Sequence, residues 1–79
     1  MAEVTSETVT AQHVKAARAF LDWTAADLAD KCDVGVATIR RFECGVNIRD
    51  GSRQAIFDAL IGAGIEFQNG GRPGARLMR

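Results

Sequence analysis

The chain predicts a mainly α domain, a bundle of four short helices closed by a C-terminal β-strand or hairpin. Three observations predict it. Four stretches place apolar residues at helical spacing, each between start and stop signals. From Ile65 the pattern changes to alternation and the glycines and the single proline crowd in, as for strand, turn, strand. At 79 residues and 47% hydrophobic, the chain is one small globular domain.

The first segment, residues 1–9, is rich in Thr, Glu and Val and shows no period, so it reads as a flexible N-terminal arm before a single domain at 10–79. Thr10 caps a first helix over about 11–21. Val14, Ala17, Phe20 and Leu21 form its apolar stripe, with Lys15 and Arg18 largely off it. It stops near Asp22-Trp23, with Trp23 as a plug between the first two helices. Thr24 caps a second helix over about 25–31, and Asp27, three residues on, meets its positive end. Leu28, Ala29 and Cys32 face inward and Asp33 turns the chain. A third helix runs from Val36 to Glu43, with Ile39 and Phe42 buried and Arg40 and Arg41 outward, and Gly45 ends it in the left-handed region. After the loop Asn47–Gly51, Asp50 or Ser52 caps a fourth helix with the stripe Ala55, Ile56, Ala59 and Leu60, closed by Gly62 and Gly64. Ile65-Glu66-Phe67 then reads as a strand, Gln68–Gly74 as a turn, and Ala75–Met78 as the returning strand, giving a β tail over 65–78.

Composition excludes several classes of function. No run approaches the ~18 apolar residues of a membrane helix. The stretch Met1–Thr10 has Glu3 and Glu7 but no basic residue, unlike a signal peptide, so a cytoplasmic location is expected. Two cysteines, Cys32 and Cys44, are too few for a disulfide scaffold or a zinc site. Neither metal nor other cofactor is expected. His13, the one histidine, reads as a surface or capping residue. Asn69–Gly74 lacks the strand-to-helix frame of a nucleotide loop, so an enzyme is not expected. Net charge is zero, yet unevenly spread: residues 1–30 hold five acids and two bases, −3, and residues 31–79 hold five acids and eight bases, +3.

Two short helices joined by a tight turn within a bundle form the helix-turn-helix layout, here over residues 24–43. Its spacing is met in detail. Ala29 is the small residue that lets the second helix approach the third. Asp33 stands where the turn goes left-handed, Cys32 and Val34 plug the angle between the helices, and Ile39 and Phe42 anchor the third helix.

With these residues in hand, the sequence resembles the phage repressor (Cro/CI, or XRE) helix-turn-helix family over roughly residues 10–79. The resemblance is carried by Arg18–Thr24, Leu28-Ala29, Val34, Ala37–Glu43, Gly45, and the tail from Gly64 to Leu77. It implies a lambda-repressor-like bundle whose recognition helix, 36–43, enters the major groove of double-stranded DNA. Val36, Ala37 and Thr38 are then its first base-reading positions, with Arg41 one turn on and Arg40 beside it. Thr24 and Ala25 at the second helix start, and Asn47 and Arg49 in the loop after the third, hold phosphates. Arg18 and Glu43 occupy the places of a structural ion pair. The chain departs from the family pattern at Asp33 for the turn glycine, Gly35 for the Ser or Thr cap, Ala25 for a polar phosphate contact, and the apolar Val36 and Ala37.

The expected function is a sequence-specific transcriptional regulator, a repressor binding an inverted-repeat operator as a homodimer. Leu60, Ile65, Phe67 and Leu77 are placed at the two-fold axis, with the tail strand pairing to its mate. The alternative is a protein-binding helix-turn-helix antiactivator, or an antitoxin-like partner of another regulatory protein, with weak or no DNA binding. Zero net charge and the apolar Ala25, Val36 and Ala37 favour that alternative, and Arg40, Arg41, Arg49 and Arg53 favour the first.

Overall fold

Local capping chemistry sets the helix boundaries. In the computed structural model, which describes residues 4–70 and 72–77 with side chains as far as Phe67, the order is α1 (Ala11–Leu21), α2 (Ala25–Cys32), α3 (Val36–Glu43), α4 (Asp50–Gly62), β1 (Ile65–Gly70) and β2 (Arg72–Leu77). The chain is mainly helical. Thr10 and Thr24 each build a reciprocal capping box. The Thr24 hydroxyl accepts from the Asp27 amide at 3.0 Å while the Thr24 amide donates to the Asp27 carboxylate at 2.9 Å. In α1 the partner is His13, whose Nδ1 accepts from the Thr10 amide at 2.9 Å.

The helix ends follow one rule. Asp22 (φ 57°) and Asp33 (φ 56°) take the left-handed conformation after α1 and α2, and the next amide reaches back, Trp23 to the Arg18 carbonyl and Val34 to that of Ala29. A short polar side chain tolerates this conformation at modest cost. Gly45, at φ 88°, ends α3: its amide bonds the Phe42 carbonyl and that of Val46 the Arg41 carbonyl, satisfying two carbonyls the helix leaves open. The start of α4 differs from expectation. Neither Asp50 nor Ser52 is the cap; Arg49 is, without a side-chain bond, and Asp50 is the first helical residue, its carboxylate paired with Arg53 at 2.7 Å.

One core gathers Val14 and Ala17 of α1, Leu28 and Ala29 of α2, Ile39 and Phe42 of α3, and Ile56 and Leu60 of α4. The hairpin lies on this bundle, β2 against α1 and β1 against α4. Its antiparallel register runs from Ile65 opposite Leu77 to Gly70 opposite Arg72. The turn is therefore tighter than the sequence suggests. Most of the Gln68–Gly74 stretch is strand, and Pro73 sits in β2 opposite Asn69, which a two-stranded sheet accepts because each strand is an edge. Met78, the expected strand end, lies outside the described residues.

Three expectations are corrected. Residues 4–9 are not a mobile arm: Val4 and Val9 are buried in the core. A threonine turn carries them there, with the Val9 amide on the Thr5 carbonyl at 2.8 Å and the Thr5 amide on the Thr8 hydroxyl at 2.8 Å. Residues 1–3 of that segment lie outside the described residues. Phe20 is not part of the buried stripe of α1 but is 54% exposed. His13 does cap its helix, yet it is buried rather than at the surface, its ring edge against Phe67 with centroids 5.4 Å apart.

Val9→Ala should lower stability by about 1–2 kcal/mol, the cost of removing two buried methyl groups. Urea unfolding measures it. A mobile arm would give no change.

Candidate nucleic-acid interface

The face around α3 is built from the inside out. Ile39 and Phe42 hold the helix to the core, which turns Ala37, Arg41 and Cys44, spaced i, i+4 and i+7, toward solvent. Arg40 flanks this crest on one side. All four are exposed, whereas Val36 and Thr38 are half-buried. Gly35 caps α3 with its backbone alone, so the Thr38 and Ile39 amides return to the Gly35 carbonyl.

One ion pair fixes the helix. Arg18 reaches from α1 to the last residue of α3, its Nε donating to Glu43 Oε2 at 2.7 Å and its Nη2 to Oε1 at 2.8 Å. The third nitrogen, Nη1, donates to the Trp23 carbonyl at 3.1 Å. The side chains are only 22% and 9% exposed. Glu43 hydrogen bonding holds the Arg18 guanidinium above even the usual arginine range. Its stabilising contribution is therefore complete below that range and is lost only at strongly alkaline pH.

Thr38, Arg41, Asn47 and Arg49 come together. With Asp33, Val34, Gly35, Val46, Ile48 and Ser52 they line an open groove of about 580 Å3 beside α3. Among the described residues Arg40, Arg41 and Arg49 have no acidic partner, so three guanidiniums face solvent on and beside one helix. Arg53 is held by Asp50 instead. Val36, Ala37 and Arg40 do not line the groove, and neither do Thr24 and Ala25 at the start of α2. The sequence reading missed Ser52 and Val46 as groove residues. Ser52 is legible only as a helix-start residue, and Val46, 51% exposed, carries no polar signal. It also missed that the Cys44 thiol shares the crest with Arg41. Cys32, by contrast, is half-buried, and burial pushes its thiol up from the usual range.

Two of the four residues assigned to a two-fold axis are placed elsewhere. Leu60 is fully buried and Ile65 is 2% exposed, both in the core of their own chain. Phe67 is half-buried, stacked on Phe57 with centroids 5.7 Å apart and touched by the His13 edge. The hairpin lies over the bundle with Ile65 in the core. Leu77 pairs with Ile65 in the strand register; its side chain lies outside the described residues.

Comparison of the chain with family models, curated proteins and solved structures finds no match.

Glu43→Ala should lower stability by about 2–4 kcal/mol, somewhat under the ~3–5 of a fully buried pair because water reaches Arg18. Glu43→Gln, which keeps one oxygen acceptor for Arg18 and loses the other, should cost less than the alanine. Thermal melting of the two variants decides it. An aromatic disulfide reagent should titrate Cys44 well before Cys32 in the native chain, since the thiolate is the reactive form and burial disfavours it at Cys32. Equal rates would mean that Cys32 is open to solvent.

Proposed function

We propose that the chain is a sequence-specific DNA-binding regulator with a lambda-repressor-like helix-turn-helix, its α3 seated in the major groove. The observation that carries this reading is the outward face of α3 and its flanking loop. Arg40, Arg41 and Arg49, none with an acidic partner among the described residues, stand on and beside a helix held by Ile39 and Phe42 in the core and by the Glu43 pair at its C-terminal end. An α-helix fits the major groove, and an arginine there donates two parallel hydrogen bonds to guanine. Ala37, on the same crest, offers a methyl contact to thymine. Arg49 and Asn47 line the groove beside α3 and in this reading hold phosphates. The three-residue turn Asp33–Gly35 and the contact of α2 with α3 support the same reading. The regulator acts as a homodimer on an inverted repeat as a repressor, through a surface other than Leu60 and Ile65.

A second reading is a protein-binding relative with little DNA affinity. It is favoured by the exposed Phe20, Val46 and Ile61, the last two 51% and 45% accessible, in a chain of zero net charge.

Selection from a random duplex pool, followed by a salt titration of the enriched sequence, separates the two. A regulator retains binding roughly 10³-fold or more above its level on unrelated DNA as salt rises. A protein-binding relative enriches nothing. Arg41→Ala should cost about 1–3 kcal/mol on the enriched site, concentrated at one base pair per half-site. A uniform loss on all sequences would make Arg41 a phosphate contact.

A further inference from the structure

A second groove lies away from α3. Its cause is compositional: where the end of α4 meets α1 and α2, the chain offers only Ala59, Gly62 and Ala63, too small to fill the space beneath Trp23. Two depressions result. One, of about 410 Å3, is lined by Leu21, Trp23, Lys31, Ala59, Gly62 and Ala63. The other, of about 490 Å3, is lined by Trp23, Asp27, Asp30 and Lys31. Trp23 and Lys31 belong to both and form the wall between them, the Lys31 ammonium 5.7 Å from the indole centroid. The second depression carries the acids. Asp30 is exposed with neither hydrogen-bond nor ion-pair partner among the described residues, and Asp27 has one oxygen engaged by the Thr24 amide. An apolar depression beside one with two carboxylates, the Lys31 ammonium on the wall between them, complements a segment that sets an aliphatic side chain next to basic ones.

We infer that this groove docks a basic segment of a second protein, an aliphatic side chain seated on Trp23, Ala59 and Gly62 and neighbouring arginines or lysines paired with Asp27 and Asp30 in the adjoining depression. The groove shares no lining residue with the one beside α3, so a partner and a nucleic acid can be held at once. An occupant would rest on α2, the helix that leads directly into the turn before α3.

Trp23 is the single tryptophan of the chain, so its emission reports the groove directly. The probe is an acetylated, amidated peptide Arg-Leu-Arg-Ala-Leu-Arg, with its analogue carrying Glu at every Arg as control. The basic peptide should shift Trp23 emission saturably, the acidic one should not, and added salt should weaken the response. Asp27→Asn with Asp30→Asn should weaken it about three- to tenfold, the range expected for two exposed pairs. Gly62→Leu should abolish it by filling the groove. A Cβ at Gly62 meets nothing within 4 Å, so the substitution starts into open space; the variant should keep its melting temperature and its affinity for any DNA site selected above. Equal response to both peptides, no saturable response to either, or full response in Gly62→Leu would overturn the inference. So would an emission shift that grows with protein concentration alone, which would make a second copy the occupant.

Discussion

The bidentate pair between Arg18 and Glu43 is the constraint on which the outer face of α3 depends. An eight-residue helix is too short to be stable alone in water, so its position is inherited from its attachments. Ile39 and Phe42 supply the non-directional part, burying apolar surface against α1, α2 and α4. Apolar burial alone tolerates some rotation about the helix axis. The guanidinium does not, because two parallel hydrogen bonds at 2.7 and 2.8 Å fix the Glu43 carboxylate in plane and in distance. The third contact, to the Trp23 carbonyl, ties the same arginine to the segment between α1 and α2. One side chain thereby references the end of α3 and the start of α2 to α1. The rotation of α3 decides which of Ala37, Arg40 and Arg41 stands outermost, so the ion pair, remote from the exposed arginines, sets what they present.

Much of this was legible in the sequence, for local reasons. Thr24 with Asp27 three residues on is a capping pattern whose geometry follows from the helix itself, and the bounds of α1 and α3 fall where Thr10, Gly35 and Gly45 put them. Asp33 was readable as a left-handed residue from the turn spacing alone. What was not legible depends on where distant parts of the chain come to lie. Val4 and Val9 show no period because they do not lie in a helix or strand. They are buried by a threonine turn, held in part by Ser6 on Gln54 of α4 at 2.6 Å, a partner 48 residues away. Leu60 and Ile65 are covered by the chain's own helices, and Phe67 is half-buried, an outcome set by the docking of β1 on α4 and β2 on α1. At this size the outcome matters, because a small chain has few apolar residues to divide between its own core and an interface.

The charge of the chain shows why arithmetic over a whole sequence is a weak guide to a face. Ten acids and ten bases cancel, which argues against attraction to phosphate when the molecule is treated as a point. The fold is 31 × 25 × 18 Å across, about two to four times the ~8 Å over which charge is felt at physiological ionic strength. A phosphate beside α3 therefore responds to Arg40, Arg41 and Arg49, not to Asp22, Asp27 and Asp30 beyond the turn. The cancellation is also incomplete locally. Glu43 is consumed by Arg18 and Asp50 by Arg53, which removes the nearest carboxylates of the C-terminal half from the ledger of that face. Only Asp33 remains on the groove rim. The segregation of acids toward α2 and free arginines toward α3 gives one neutral chain two faces of opposite sign, and α2, carrying the acids outward and bracing α3 inward, is the element common to both.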